Sequence, residues 1–276
     1  MESKAYEYMD WPRIEAVVYG EEASPKDVMA PRLTTDGVLI QGFFPEADKT
    51  EVLVGSRKYE MEQEDEAGYC AAMIPGRKIP DYKYRVTKGE ETKEFADPYA
   101  FSGQITEAEE KAFCAGVYYH AYEKLGAHPM EINGIKGTSF AVWAPNAMRV
   151  SVVGDFNAWD GRCHAMHRMP MSGIFELFIP GVKAGDIYKY ELKLKGNRIE
   201  LKSDPYAACT EVPPANASGV TDTSTFQWED EIWMKERKKF SDRKQPISIY
   251  ETSLTEWKDA TELADFVKKL NYTHVE

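Results

Sequence analysis

From Tyr188 the chain reads Tyr-Lys-Tyr-Glu-Leu-Lys-Leu-Lys, which sets Tyr188, Tyr190, Leu192 and Leu194 on one face and Lys189, Glu191, Lys193 and Lys195 on the other. Strict period two predicts a half-buried strand. Gly196-Asn197 then supplies the left-handed residues that a tight hairpin turn requires. The same alternation sets Tyr82, Tyr84 and Val86 against Lys83, Arg85 and Thr87. Short β-branched and aromatic runs at Ser139 to Trp143, Val150 to Val153 and Phe175 to Ile179, bounded by Gly, Pro or Asn, predict further strands. Two passages switch to helical spacing. Thr106-Glu107-Ala108-Glu109 is a capping box, and Phe113, Val117, Ala121 and Leu125 follow every fourth residue up to Gly126, with Gly116 placed to split the run. Asp259 with Glu262 starts the second helix, whose stripe is Leu263, Phe266, Val267 and Leu270.

A repeat organises these elements. Pro45 and Ala47 recur as Pro145 and Ala147, and Ile74-Pro75-Gly76 recurs as Ile179-Pro180-Gly181. Tyr82-Lys83-Tyr84 returns as Tyr188-Lys189-Tyr190, and Asp97-Pro98-Tyr99-Ala100 as Asp204-Pro205-Tyr206-Ala207. The landmarks keep their order while the offset drifts only from 100 to 107. Two copies of one module of about 90–100 residues, the usual size of a β-sandwich, account for this. Beyond them, the apolar run Pro246 to Glu251, the Asp259 helix and the β-like run from Asn271 predict a strand-helix-strand unit of the parallel kind. One such unit cannot bury both faces of its sheet, so the last 30 or so residues are expected to open a further domain that the chain does not complete.

Composition narrows the function. The 276 residues are 43% hydrophobic and 12% aromatic, enough for real cores. Against 46 acidic residues stand 34 Lys and Arg, a net charge of −12 that repels phosphate backbones and anionic lipid, so neither nucleic acid nor membrane is an expected partner. Met1 to Gly20 is too charged for a signal peptide, and no run approaches the ~18 apolar residues of a membrane span. Cys70, Cys114, Cys163 and Cys209 are scattered, which points to buried, inert thiols in a cytoplasmic protein. His164 and His167 lack further clustered ligands, His128 and His274 read as structural, and no phosphate-binding glycine loop occurs, so neither metal nor cofactor is implied. The acidic runs Glu62 to Glu66 and Glu229 to Glu231 read as solvated charge.

The segments Tyr122 to Pro129, Phe140 to Ala147, Val152 to Asp160, Ser203 to Ala207, Pro246 to Glu251 and Tyr272 to Glu276 closely resemble the amino-terminal region of bacterial glycogen (1,4-α-glucan) branching enzymes. The resemblance runs from about Asp36 onward. It implies a mainly β chain: two immunoglobulin-like β-sandwich modules in tandem, of the carbohydrate-binding family 48 type, then the truncated start of the (β/α)8 barrel of an α-amylase-like enzyme. The expected boundaries are a first module at 1–104, a helical connector at 105–135, a second module at 136–235 and the barrel start at 236–276. The family cleaves an α-1,4 bond and transfers the released chain to a 6-hydroxyl by a retaining mechanism with an Asp nucleophile and a Glu acid/base. Those residues belong to later barrel strands and match no position here, so no catalytic residue is assigned. The resemblance implies glycogen or amylose, and the missing catalytic barrel, as partners.

Sugar recognition sets aromatic faces against pyranose C–H faces, with amide, lysine or carboxylate groups on the hydroxyls. Trp159 in the Gly-Asp-Phe-Asn-Ala-Trp-Asp segment, with Asn157 beside it and Lys189 on the polar face of the hairpin strand, supplies such a set. This segment also resembles the glycogen-binding module of the AMP-activated kinase β subunit, where the matching Trp and Lys contact glucan. That module's second sugar-contacting Trp falls near Arg198, where this chain has none. Two roles stay open for Trp159, glycan contact and packing against a barrel. Trp143, the last candidate, ends an apolar strand and reads first as core. The first module has Gly55-Ser56-Arg57-Lys58-Tyr59 where the second has its Trp segment, and its expected role is spacing. The other readings of the whole are a stand-alone glycan-targeting module, or the front of a debranching enzyme or a trehalose-forming hydrolase.

Overall fold

The computed structural model describes residues 4–224, 226–240 and 246–276. Strand pairing follows the period-two segments. Val38–Phe43 lies antiparallel to Tyr69–Ile74, and with Arg32–Leu33 and Glu62–Gln63 at the edges they form one four-stranded sheet. A second sheet orders Arg57–Glu60, Lys49–Val54, Lys83–Lys88 and Glu91–Phe95. Val38, Ile40 and Ile74 of the first sheet share one buried cluster with Val52 and Tyr84 of the second. Each such side chain contributes about 1.5–3 kcal/mol over its exposed state.

Residues 126–219 repeat much of this pairing, without a counterpart of Arg57–Glu60 and with Cys209–Thr210 and Ser218–Gly219 added. Gly126–Ile132, Ile135–Trp143, Ile174–Pro180 and His167–Arg168 make a third sheet, and Arg149–Gly154 pairs with Ile187–Leu194 in a fourth. Arg198–Lys202 returns along Ile187–Leu194 through the Gly196-Asn197 turn, both residues having positive φ as expected. Phe140, Val152, Phe175, Tyr188 and Tyr190 fill the core here. That core also takes in Phe43, Tyr69 and Tyr99 from the preceding residues, and Ile14, Val17 and Val18 from a helix at Trp11–Val18.

The repeated motifs have a common physical purpose. Tyr82 and Tyr84 both reach the Asp97 carboxylate, at 2.5 and 3.1 Å, while Tyr99 N–H donates to its other oxygen at 2.8 Å. Tyr188 and Tyr190 reach Asp204 in the same way, at 2.5 and 3.2 Å, with Tyr206 N–H at 2.8 Å. Both carboxylates are buried, where a charge survives only with several donors. Each Tyr-Lys-Tyr strand is thereby tied to the Asp-Pro-Tyr-Ala turn that follows it. Burial nonetheless dominates, raising Asp204 and pushing Asp97 up to about 6.

The capping box at Thr106 and Glu109 is present, and its helix spans Glu107–Cys114. Gly116, at a φ of 72°, ends it, and only a 3-10 turn at Ala121–Glu123 follows. The connector is therefore not helical throughout 105–135. Gly126–Ile132 is a strand, and His128 pairs with Ser139 across the ladder. The cysteine expectation also needs correction, since only Cys70 is buried, Cys163 is half-buried, and Cys114 and Cys209 are exposed.

The chain divides into two units, Met1–Asp222 and Thr223–Glu276. In the second, Ile249–Tyr250 and His274–Val275 pair in parallel around the helix Ala260–Lys269. Asp259 caps that helix by accepting from Thr261 and Glu262 N–H, and Leu263 and Val267 are buried beneath it.

Asp97 yields a pH test with a defined sign. Its folded pKa lies above the unfolded value near 4, so the folded state binds the extra proton and stability from this group falls as pH rises from about 4 to 6. In urea titrations, the stability of wild type minus that of Asp97→Asn should fall by about 3 kcal/mol across that window. A flat difference would contradict the buried, charge-disfavouring setting of Asp97.

Candidate glycan-binding site

The strand Arg149–Gly154 delivers the chain into a 3-10 turn at Asp155–Asn157. Ala158 and Trp159 then both adopt left-handed backbone, with φ of 53° and 61°. Two consecutive non-glycine residues of this kind cost of order 1–3 kcal/mol each and persist only when neighbours fix them. Trp159 N–H donates to Gly154 C=O at 3.0 Å, and its indole Nε1 donates to Asp155 Oδ1 at 2.8 Å. The ring is half-buried. Its N–H is already used, so what remains for a ligand is an apolar ring face.

Asn157 serves the turn. Its Oδ1 accepts from Gly154 N–H at 3.0 Å, and its Nδ2 donates to Val152 C=O and to His164 Nδ1, both at 2.9 Å. Both amide hydrogens are engaged with protein groups, so Asn157 helps to build the turn. Lys189 sits opposite Val153, one residue before Gly154, so the sheet brings it to the strand end that carries Trp159. Its ammonium donates to Asn216 Oδ1 at 2.5 Å. Asn216 is exposed and went unnoticed in the sequence, because it lies in an aperiodic Pro-rich loop.

Trp143 departs from the core expectation, being 54% exposed. Its Nε1 donates to Ser172 C=O at 2.9 Å, and Phe113 meets it edge-on with centroids 5.9 Å apart. Glu110 fixes this corner by accepting from Met171 N–H, Ser172 N–H and Ser172 Oγ, each at 2.9 Å. Trp143 and Trp159 lie beyond opposite ends of the Arg149–Gly154 strand, roughly 17 Å of extended chain. They do not form one platform.

Support for the Trp159 turn comes from below. Arg149, 2% exposed, donates to Gly161 C=O at 2.6 Å, to Ser151 Oγ, to Gly20 C=O at 2.8 Å and to Glu191 at 2.6 Å. A Cβ at residue 161 would lie 2.0 Å from Glu191 Oε1, so any larger residue there would push the Glu191 carboxylate off its place against Arg149. The polar strand face carrying Glu191 and Lys193 is therefore not a solvated one. Lys193 is buried and donates to Glu21 at 3.0 Å and to Tyr19 C=O.

Where the first group of sheets turns between Lys49–Val54 and Arg57–Glu60, only Gly55 and Ser56 intervene. The excursion that presents Trp159 has no counterpart there. Among the described residues no helix is long and apolar enough to cross a membrane.

A β-sandwich presenting a tryptophan on such a turn matches a carbohydrate-binding class of protein: residues 124–207 fit the model of carbohydrate-binding module 48, the isoamylase N-terminal domain. Residues 10–99 fit the N-terminal domain of alpha-1,4-glucan branching enzyme GlgB. The resemblance to the amino-terminal region of bacterial 1,4-α-glucan branching enzymes stands on both matches. Among curated relatives, the 1,4-alpha-glucan branching enzyme GlgB of Cereibacter sphaeroides is 40% identical over 99% of this chain and 39% of its own length. That of Paramagnetospirillum magneticum is 37% identical over 95% of this chain and 37% of its own. The chain thus spans well under half the length of these relatives. Of solved structures, a type I pullulanase from Bacillus subtilis complexed with maltose aligns over 90% of this chain and 37% of its own, at 18% identity and a TM-score of 0.39.

His164 reports on the integrity of the turn. Burial holds its imidazole down to about 4, and the neutral ring accepts from Asn157. With the unfolded value near 6.5, the unfolded state protonates first, so stability present above pH 6.5 is lost as pH falls towards 4. Discounted for partial exposure, wild type should lose about 2 kcal/mol relative to His164→Gln over that range in urea titrations. Equal losses would place His164 in an open, solvated setting.

Proposed function

We propose that the chain is the non-catalytic amino-terminal region of a cytoplasmic 1,4-α-glucan branching enzyme, and that its 124–207 module holds α-glucan for a barrel that does the chemistry. The complete enzyme would cleave an α-1,4 bond and pass the chain to a 6-hydroxyl in glycogen synthesis. The observation that carries the reading is the module 48 match combined with Trp159, whose indole is pinned by Asp155 while a ring face stays available. Lys189, held by Asn216 at the same strand end, is the hydroxyl-binding partner. Asn157 acts by shaping the turn, and Trp143 offers a separate stacking face at the far end of the module.

The largely repeated strand pairing and the paired Asp97 and Asp204 clamps support two immunoglobulin-like sandwiches in tandem. The parallel pair around Ala260–Lys269 supports the start of an α/β barrel. Residues 241–245, within the span assigned to that start, lie outside the described residues.

A single tryptophan face yields weak affinity for short oligosaccharides, because association entropy consumes most of its gain. A polymer with many sites binds by avidity. The chain should migrate more slowly in native gels cast with glycogen, and Trp159→Ala should raise the glycogen concentration for half retardation by roughly tenfold. Equal migration of wild type and variant at every glycogen concentration would make Trp159 a packing residue.

A further inference from the structure

A cavity of about 370 Å³ is lined by residues of the first group of sheets and of the 156–164 segment. It falls within the ~300–1,000 Å³ range of small-molecule sites. Its walls carry the rings of Phe43, Phe44, Phe95 and Phe156. Its floor is Tyr84 with the Asp97 carboxylate. Four charged side chains line it as well. Lys88 pairs with Glu46, and Arg162 grips Asp160 with Nη2 at 2.7 Å and Nε at 3.0 Å. Arg162 also lies 5.4 Å from the centroid of the Phe43 ring.

This lining selects its ligand. Lys88 and Glu46 pair, Arg162 and Asp160 pair, and the Asp97 carboxylate is held by the Tyr82 and Tyr84 hydroxyls, so no cation is left over to capture an anion. Aromatic faces interleaved with carboxylate, ammonium and guanidinium groups suit a molecule with apolar C–H faces and a rim of hydroxyls.

We infer that this cavity is a second saccharide site, separate from the Trp159 face, that takes one or two residues at an end of an α-1,4-glucan. The choice of α-glucan rests on the function proposed above. Trp159 does not line the cavity, whereas its neighbours Phe156, Asn157, Ala158 and Asp160 do. The two sites therefore draw on different side chains of one turn.

Cys163 lines the cavity and is half-buried, whereas Cys114 and Cys209 are exposed elsewhere. Burial pushes the Cys163 thiol up to about 12, which slows alkylation without preventing a relative comparison. Maltotriose at saturating concentration should slow labelling of the Cys163 peptide by N-ethylmaleimide about threefold or more, read by mass spectrometry, and leave Cys114 and Cys209 unchanged. Trp159→Ala should retain that protection. The double variant Glu46→Ala, Lys88→Ala removes an exposed ion pair of little structural weight, and it should need several-fold more maltotriose for the same protection. Unchanged Cys163 labelling alongside normal glycogen retardation would overturn the cavity site alone. Loss of both signals would overturn the glucan reading with it. Protection that disappears in Trp159→Ala would mean a relayed effect of the turn and would equally overturn the proposal.

Discussion

A guanidinium taken out of water must find an acceptor for its N–H groups or the fold loses several kcal/mol. Arg149 is in that position, and its acceptors come from four places in the sequence: Gly20, Ser151, Gly161 and Glu191. Through them one side chain joins the residues after the Trp11–Val18 helix, the strand that leads into the Trp159 turn, the turn's far side and the neighbouring strand. The left-handed backbone at Ala158 and Trp159 is bracketed between Gly154, fixed by the sheet, and Gly161, fixed by Arg149. The turn that presents the indole is thus anchored at its far side by a buried charge that sits elsewhere.

The second recurring constraint is the carboxylate under each tyrosine pair. Asp97 and Asp204 are costly to bury, and the cost is offset only while two hydroxyls and an amide point at each. Such a clamp fixes a strand to the turn after it irrespective of the hydrophobic packing. It gives a physical reason for two of the four landmarks, Tyr-Lys-Tyr and Asp-Pro-Tyr-Ala, to recur in order across a chain whose intervening residues differ. The first copy keeps the clamp and omits the turn excursion, leaving a framework with no tryptophan to present.

Local rules made much of this legible in advance. Period two located the strands at Tyr82 and Tyr188, glycine and asparagine located the hairpin at 196–197, and capping side chains located the helices starting after Thr106 and Asp259. What stayed hidden was decided at long range. Lys193 and Glu191 look solvated in a strand pattern, but Lys193 is bound by Tyr19 and Glu21, more than 170 residues earlier, and Glu191 by Arg149, and charge alternation carries no record of it. Trp143 looks like core, yet Ser172 and Glu110 hold it at a corner. The strand at Gly126–Ile132 contains Pro129 and no alternation, and exists because Ile135–Trp143 offers it an edge. For the site, Trp159 and Lys189 were readable as types at a spacing, whereas Asn157's internal commitments and the Asn216 contact depend on which backbone groups the turn leaves unpaired.

Hydrogen exchange followed by mass spectrometry on Arg149→Met tests the coupling most directly. Removing one partner of a buried pair costs about 3–5 kcal/mol, and that loss should concentrate where Arg149 reaches. Peptides covering Arg13 to Glu22 and Gly154 to Arg162 should both exchange faster than in wild type, and by similar factors, while Tyr82 to Phe95 stays protected. Faster exchange in only one of those two segments would contradict the claim that a single buried guanidinium holds the amino-terminal segment and the tryptophan turn in place together.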